Sequence, residues 1–290
     1  MDEAKQALRV CPERIRAALE RFPRISEVEE IRLRVGRAVT VNFRGRETSV
    51  ATETVTPRDL QEVLEHATGQ AVYAAQEMLK NGFLTVPGGH RLGLCGTAVY
   101  RDGEVFTLRD LSSVDIRVAR QIFGAADGCA DFLWTHPRST LIVGAPGRGK
   151  TTLLRDLIRQ CSDRFGWRIG VADERMELGA CVAGTAQFDL GAHTDILSGV
   201  RKETAIEMLV RSMNPQWIAV DEITAAQDIE AMQRASYCGV RFFATAHAAT
   251  LAELEQRPLY RRLLESGTFE NTVVIGEGRT VEMQGRRGHA

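Results

Sequence analysis

The sequence predicts an α/β fold in two parts, a smaller α+β domain followed by a larger domain built on a parallel sheet. The chain of 290 residues is long enough to bury two cores. Its hydrophobic pattern changes near Ser139. Beyond that point, short apolar runs alternate with helix-like stretches, as in parallel α/β domains.

The first predicted domain covers residues 1 to 120 and opens with a helix and a strand. Residues 12 to 22 have helical character, and Ile31, Leu33 and Val35 alternate with arginines in the way that is typical of a half-buried strand. Thr56 then offers a cap for a helix that has proline at its first position and Asp59 in its first turn.

The rest of this domain is predicted to contain one more helix and three strands. The helix runs through Gln76 and stops at Gly82. The strands cover residues 83 to 86, 91 to 99 and 114 to 118, and a turn over residues 87 to 90 joins the first two. Short strands mixed with short helices indicate an α+β domain.

The second predicted domain covers residues 139 to 290 and follows a linker over residues 121 to 138 that contains a short helix. The apolar stripe over residues 152 to 164 predicts a helix, and residues 271 to 284 are expected to form a hairpin. Buried parallel strands are predicted at the short apolar runs, which are residues 140 to 143, 169 to 172, 217 to 220 and 242 to 244. Helices should therefore cover both faces of this sheet.

Composition and charge exclude several classes of protein. The hydrophobic fraction of 44% is ordinary, and no apolar run approaches the roughly 18 to 20 residues that cross a bilayer. The beginning of the chain lacks the apolar segment of a signal peptide, so we expect a cytoplasmic protein without a membrane span that reaches membranes only through partners. The formal net charge of −1 gives no non-specific attraction to nucleic acid or anionic lipid.

The six cysteines are widely spaced and form no C-x-x-C pair, so the sequence encodes neither a zinc site nor a redox motif. We expect reduced thiols in the core at Cys11, Cys95, Cys129, Cys161, Cys181 and Cys238.

A glycine loop between a predicted strand and a predicted helix carries the strongest chemical signal. It fits the pattern G-x-x-x-x-G-K-[ST] without a departure, with the residues Gly144, Ala145, Pro146, Gly147, Arg148, Gly149, Lys150 and Thr151. In such P-loops, backbone N–H groups and the lysine bind the phosphates, and the final hydroxyl binds Mg²⁺. We therefore predict ATP and Mg²⁺ as ligands, and we include Thr152 among the nucleotide-binding residues.

Two adjacent acids end the predicted strand at residues 217 to 220. Asp221 is expected to hold Mg²⁺ through water, and Glu222 is placed to polarise the attacking water as a general base. The adjacent pair favours hydrolysis by a motor over phosphate transfer to a small acceptor. The alternative is a surface loop that begins with two acids.

Two further polar groups follow predicted strands, at the carboxyl edge where open α/β sheets bind ligands. Glu174 rivals Glu222 for the water-activating role, unless it lies in a surface turn or pairs with Arg175. His247 is placed to sense the γ-phosphate, unless it is structural or merely exposed.

Several motifs together resemble the stage III sporulation protein AA family of endospore-forming bacteria, and the resemblance spans nearly the whole chain. They are the glycine-rich run at residues 88 to 98, the segments at 173 to 175, 211 to 213 and 245 to 247, Arg257 with Pro258, and the C-terminal hairpin. That family is similar to the secretion ATPases of type II and type IV pilus systems.

The resemblance implies a RecA-like P-loop motor domain behind the N-terminal domain, and a homo-oligomer in the form of a hexameric ring. It implies that ATP hydrolysis powers or assembles a transenvelope channel between mother cell and forespore. The implied partners are membrane proteins of the stage III sporulation channel complex, which would recruit the chain to the mother-cell side of the forespore membrane. Residues 245 to 247 resemble the histidine box of the secretion ATPases, and Arg117 lies on a strand like the one that carries their trans-acting arginine.

One position departs from the secretion-ATPase pattern, because Thr224 and Ala225 replace an expected Gly-Arg or Arg-Asp pair. This departure counts against a polar relay through that position.

The main alternative function is a RecA-like or helicase-like ATPase that depends on nucleic acid. The near-neutral charge and the lack of an aromatic and basic strand platform count against it. A small-molecule kinase would need a lid segment, and the sequence shows none. The intact Lys150, Asp221 and Glu222 count against a scaffold that binds ATP without turnover.

Overall fold

A computed structural model describes residues 3–50, 53–69 and 82–285. The chain divides into two compact units. The first unit consists of Met1–Arg120 and Ala180–Gln187, and the second consists of Gln121–Gly179 and Phe188–Ala290. Residues 121 to 138, for which the sequence predicts a linker with a short helix, belong to the second unit.

The first unit is built on a six-stranded antiparallel sheet with the strand order β3-β2-β1-β6-β5-β4. Its strands are β1 Val28–Arg34, β2 Thr40–Phe43, β3 Arg46–Ser49, β4 Phe83–Val86, β5 His90–Arg101 and β6 Glu104–Arg117. Its described helices are α1 Glu3–Ala7, α2 Glu13–Glu20 and α3 Pro57–Thr68, with short 3₁₀ turns at Leu8–Val10 and Ile25–Glu27.

One core joins the helices of this unit to the apolar side chains of the sheet. Ile31 and Leu33 of β1 are fully buried, as their alternation predicts. The prediction that Val35 continues this alternation is wrong, because β1 ends at Arg34 and Val35 is 37% exposed. The helix predicted through Gln76 lies outside the described residues.

The second unit is built on a seven-stranded sheet with the strand order β13-β12-β7-β11-β10-β8-β9. Its strands are β7 Thr140–Gly144, β8 Ile169–Asp173, β9 Thr194–Ser198, β10 Trp217–Val220, β11 Arg241–His247, β12 Asn271–Ile275 and β13 Val281–Gly285. Neighbouring strands are parallel except in the β12–β13 hairpin. The structure therefore contains the predicted parallel strands and hairpin, and adds the edge strand β9, which the sequence analysis missed.

Helices cover both faces of this sheet. They are α4 Asp127–Thr135, α5 Lys150–Phe165, α6 Lys202–Ser212, α7 Ala226–Tyr237, α8 Leu251–Gln256 and α9 Pro258–Glu265, with a 3₁₀ turn at Glu277–Arg279. Leu141 and Val143 of β7 pack into the core that contains α6 to α9, and Ile142 packs into the core that contains α4 and α5. The central strands are thus buried on both sides, which explains their continuous apolar runs.

The cysteines correct one prediction. All six are free thiols, and Cys11, Cys129 and Cys161 are buried. Burial raises the pKa of Cys11 to about 12 and that of Cys129 to about 11. Cys95 and Cys238 are exposed and Cys181 is intermediate, so the prediction of core thiols is wrong for these three.

Within the three described ranges, every helix is too short or too polar to cross a bilayer.

The start of α3 has the cap that the sequence predicts, and the structure shows a full capping box. The Thr56 hydroxyl accepts a hydrogen bond from the Asp59 N–H at 3.3 Å, and the Asp59 carboxylate accepts one from the Thr56 N–H at 2.7 Å. Burial acts to raise the pKa of Asp59, but its bonds to Arg14 and Thr56 hold this pKa below its usual value.

We expect Thr56→Ala to lower the free energy of unfolding by about 1 kcal/mol, because a helix N–H loses its acceptor. Urea unfolding followed by circular dichroism measures this change. Thr54→Ala is the matched control, since Thr54 is exposed and lies outside the capping box, and it should change stability by less than about 0.5 kcal/mol. Equal losses in the two variants would contradict the capping role.

Candidate nucleotide-binding site

The predicted site residues of the second unit meet at one edge of its sheet. Strands β7, β11, β10 and β8 are consecutive neighbours, and their registers pair His247 with Gly144 and align Val220 with Ala244. Parallel strands end at the same edge, and ligands bind at this carboxyl edge in open α/β sheets. The P-loop, the acidic pair and His247 are therefore brought together.

The P-loop connects β7 to α5, which begins at Lys150. Gly147 has a φ of +73° and Gly149 has a φ of +92°, a left-handed backbone that disfavours any side chain. Apart from the two chain neighbours, no atom lies within 4 Å of where a Cβ would stand at either position, so the loop leaves open space there. The first N–H groups of α5 point out of the helix at its positive end, which suits a phosphate.

Lys150 is buried at 6% exposure and links the P-loop to β11. Its Nζ donates to the Ala145 carbonyl oxygen at 3.1 Å and lies 2.8 Å from His247 Nδ1. Burial lowers the pKa of Lys150, while the carboxylates of Asp221 and Glu222 oppose that effect.

The carboxylate of Asp221 connects the P-loop helix to β11. Thr151 Oγ1 donates to Asp221 Oδ2 at 2.8 Å, and Thr245 Oγ1 donates to Asp221 Oδ1 at 2.7 Å. The Thr245 hydroxyl also accepts the N–H of Glu222 at 2.8 Å. A hydroxyl and a carboxylate side by side are the hard oxygen ligands that Mg²⁺ prefers, so Thr151 and Asp221 fit the predicted ion.

Glu222 has a φ of +56°, which is unusual for a residue with a side chain. Its Oε1 lies 3.1 Å from His247 Nε2, and its Oε2 bonds to Arg175. Because the Lys150 ammonium can only donate, His247 Nδ1 must accept and the proton lies on Nε2, which donates to Glu222. The histidine thus joins the P-loop lysine to the predicted general base.

Glu174 is held by a different cation. Its Oε2 lies 2.5 Å from Nζ of Lys202, which is buried at 4% exposure. The alternative in which Glu174 pairs with Arg175 is wrong, because Arg175 bonds to Glu222 instead. Burial raises the pKa of the neighbouring Asp173, whose carboxylate accepts the backbone N–H groups of Glu177, Leu178 and Gly179.

Arg117 belongs to the first unit, whereas the other predicted site residues belong to the second. It is the last residue of β6, and its neighbour Ile116 is fully buried, so the guanidinium lies on the outer face of the sheet. Its Nε lies 3.2 Å from an oxygen of Asp115 and 3.5 Å from one of Glu30.

Arg155 is a buried site residue that the sequence analysis missed. It lies on α5 one turn beyond Thr151 and donates to the carbonyl oxygens of Leu178 and Glu177, at 3.0 and 2.7 Å. Its guanidinium lies 4.0 Å from the centre of the Phe188 ring. A basic residue beside the apolar stripe of the P-loop helix was the only signal in the sequence.

Tyr260 was also missed. Its hydroxyl donates to the Ile223 carbonyl oxygen at 3.0 Å and accepts the His247 N–H at 3.5 Å. It therefore connects the backbone after Glu222 to the end of β11. No local pattern in the sequence predicts this contact.

A mostly apolar pocket of about 220 Å³ lies beside the P-loop. Its walls include Ile122, Leu153, Ile275 and Val281, and Thr152 and Arg148 of the P-loop region complete it. A flat ring can be buried between aliphatic walls of this kind, so this pocket suits a nucleobase next to the phosphate loop.

Replacing Thr245 tests the hydrogen bonds around Asp221. We expect Thr245→Val to lower the free energy of unfolding by about 1 to 3 kcal/mol, because it leaves the Glu222 N–H without its acceptor. Thr245→Ser keeps the hydroxyl and is the matched control. Urea unfolding measures both variants, and a valine variant as stable as the serine variant would contradict this role of the hydroxyl.

The chain is similar to known proteins over nearly its whole length. Residues 1–288 match the family described as "Sporulation stage III, protein AA". The chain is 35% identical over 277 residues to Stage III sporulation protein AA of Bacillus subtilis. This match covers 93% of the chain and 90% of that protein. The family resemblance is thereby confirmed.

Solved structures show the same fold. The pilus retraction motor PilT with bound ADP matches with a TM-score of 0.65 and 16% identity, over 95% of this chain and 82% of that chain. The ATPase DotB of Yersinia pseudotuberculosis matches with a TM-score of 0.58 and 15% identity, over 89% of this chain and 74% of that chain. These similarities confirm the α/β fold class, in which a RecA-like P-loop domain follows a smaller α+β domain along the chain. The chain belongs to the stage III sporulation protein AA family.

Proposed function

We propose that this chain is a Mg²⁺-dependent ATPase that forms a hexameric ring and powers or assembles a transenvelope channel during endospore formation. One observation carries the catalytic part of this proposal. A continuous set of hydrogen bonds joins the P-loop to the acidic strand end and to β11, through Lys150, His247, Glu222, Thr245, Asp221 and Thr151.

The P-loop residues bind the triphosphate in this proposal. Backbone N–H groups at the start of α5 and the ammonium of Lys150 contact the β- and γ-phosphates. Thr151 and Asp221 would hold Mg²⁺, which neutralises phosphate charge when bound. The apolar pocket beside Thr152 takes the base. PilT, which shares the fold, was solved with bound ADP, and this supports a nucleotide as the ligand.

Glu222 orients the attacking water and accepts its proton. It follows the metal-binding Asp221 directly, and His247 and Arg175 fix the two oxygens of its carboxylate. Glu174 is the weaker candidate, because it does not adjoin Asp221 in the chain and its carboxylate faces the ammonium of Lys202 rather than His247.

His247 connects phosphate binding to the general base. The Lys150 ammonium has several N–H groups, of which Ala145 and His247 take two. A phosphate therefore engages a remaining N–H or displaces one of these bonds. If the phosphate displaces the bond to His247, Nδ1 loses the donor that orients the ring, and this ring donates to Glu222.

Family membership supports a role in sporulation. In this proposal residues 139 to 290, except Ala180–Gln187 of the first unit, form the motor domain, and residues 1 to 120 supply Arg117 to a neighbouring subunit. Membrane proteins of the stage III sporulation channel complex are the proposed partners. They would recruit the ring to the mother-cell side of the forespore membrane.

Two variants separate binding from turnover. We expect Lys150→Ala to abolish nucleotide binding, because it removes the phosphate-binding cation. Glu222→Gln should bind ATP normally and hydrolyse it about 10² to 10⁴ times more slowly, because it removes an interaction that acts in the transition state. Titration with a fluorescent ATP analogue and measurement of released phosphate give both quantities.

Glu174→Gln is the matched control for the general base, since it replaces a second carboxylate at the same edge of the sheet. It should retain most of the turnover. If Glu174→Gln is inactive while Glu222→Gln turns over like the wild type, the catalytic role belongs to Glu174.

A mixing experiment tests Arg117 in trans. An arginine finger contributes about 10³-fold or more to the rate, so we expect Arg117→Ala and Lys150→Ala each to be inactive alone. Co-assembled, they should regain part of the hydrolysis, because some interfaces then combine an intact P-loop with an intact arginine. Phosphate release from mixed rings measures this recovery.

Arg109→Ala is the matched control, because Arg109 is an exposed arginine on the same strand, and it should remain active. Arg91, which faces Arg117 across the β5–β6 ladder, is tested in the same way as the second candidate. Near-normal hydrolysis by Arg117→Ala, where the wild type forms rings, would exclude the finger.

A further inference from the structure

We infer that the edge of the second-unit sheet opposite the P-loop is a docking surface for an acidic segment of a partner protein. We call this the amino-edge surface and define it by Trp134, Arg138, Phe165, Trp167, Arg168 and Arg241. It lies where the parallel strands begin, whereas the nucleotide-binding residues lie where they end. The inference thus concerns a second site on the motor domain.

Three arginines lie along this edge. Arg241 is the first residue of β11, and Arg168 immediately precedes β8. Arg138 lies two residues before Thr140, which pairs with Phe243, so Arg138 and Arg241 occupy equivalent positions on neighbouring strands. The strands β7, β11, β10 and β8 are consecutive, so the row spans about 14 Å at about 4.8 Å between strands.

Within the described ranges, none of these arginines has a carboxylate in ion-pair distance. Arg168 Nε donates to the Asn214 carbonyl oxygen at 3.2 Å, and Arg241 lies 5.6 Å from the centre of the Trp217 ring.

Nearby acids lie beside the row rather than in it. Asp131 pairs with Arg164 at 2.6 Å, Asp163 accepts the Ala192 N–H, and Glu270 precedes β12 beyond the end of the row. The middle of the amino-edge surface is therefore positive.

A stack of aromatic rings ends in this surface. Trp134 packs on Phe165 with a centroid distance of 4.6 Å, Phe165 on Trp167 at 5.0 Å, Trp167 on Trp217 at 4.7 Å, and Trp217 on Phe243 at 4.4 Å. Phe243 is fully buried, while Trp134 is 59% exposed. The core thus supports an exposed tryptophan that loses little side-chain freedom when a partner covers it.

The tryptophan and arginine side chains of this surface favour a protein as the partner. Tryptophan and arginine are the residues most enriched among interface hot spots. The planar guanidinium matches a carboxylate through paired hydrogen bonds. The row of about 14 Å fits about four or five residues of an extended acidic chain, with an apolar side chain packed against Trp134.

A single-stranded nucleic acid fits less well. It needs a series of open ring faces on which bases stack, but Phe165, Trp167 and Trp217 each contact two neighbouring rings. Of the two rings at the ends of this series, Phe243 is buried and Trp134 is exposed.

The test uses the full chain and a fluorescein-labelled peptide of about eight residues made of Glu, Asp and Leu. Fluorescence anisotropy should show binding that weakens with added salt, because exposed charges are screened. The triple variant Arg138→Gln, Arg168→Gln, Arg241→Gln should bind at least about 10-fold more weakly, and Trp134→Ala should weaken binding separately. ATP hydrolysis should be unchanged in both variants.

The matched control replaces three exposed arginines of the first unit, Arg21→Gln, Arg46→Gln and Arg58→Gln, and should bind the peptide like the wild type. The inference is overturned if the wild type does not bind the peptide, or if the triple variant and Trp134→Ala bind it equally well. It is also overturned if the surface instead binds oligo(dT), vesicles of anionic lipid or a second copy of the chain, each measured with the same variants. Hydrolysis measured in the same samples keeps this result separate from the ATPase proposal.

Discussion

The rest of the candidate site depends on the carboxylate of Asp221. One of its oxygens accepts the hydroxyl of Thr151 from the P-loop helix, and the other accepts the hydroxyl of Thr245 from β11. These residues come from three elements that are distant in sequence, so their meeting requires the register between β10 and β11. A shift of one residue would turn every side chain of a strand to the opposite face of the sheet. The two cores that hold this register therefore also determine the geometry of the candidate site.

Glu222 shows how surrounding hydrogen bonds maintain an unfavourable backbone conformation. A left-handed conformation at such a residue costs about 1 kcal/mol or more. Three hydrogen bonds hold this turn: Glu222 N–H to the Thr245 hydroxyl, Ile223 N–H to the Thr245 carbonyl, and the Tyr260 hydroxyl to the Ile223 carbonyl. The result is a carboxylate directed at His247 and Arg175. None of these bonds passes through the side chains of Thr224 or Ala225, so the departure from the secretion-ATPase pattern leaves them intact.

Local patterns predicted the parts of this structure that local sequence determines. The P-loop and Asp221 follow apolar runs that are buried on both faces, and the capping box at Thr56 needs only four consecutive residues. The strand β9 was missed because it lies at the sheet edge, where partial exposure leaves no continuous apolar run. The pairing of Glu174 with Lys202 was missed because it joins side chains 28 residues apart. Only the folded chain brings such partners together.

The edge that carries the candidate nucleotide-binding site and the amino-edge surface share two strands. Trp217 begins β10, and this strand ends directly before Asp221; Phe243 lies on β11, which also carries Thr245 and His247. Each strand is buried on both faces and bonded to parallel neighbours, and close-packed interiors of this kind transmit strain. If a ligand bound at one edge shifts these strands, the same displacement changes the positions of the residues at the other edge. Any such coupling is reciprocal: a segment that raises the affinity for ATP at one edge is itself bound more tightly, by the same factor, when ATP is present.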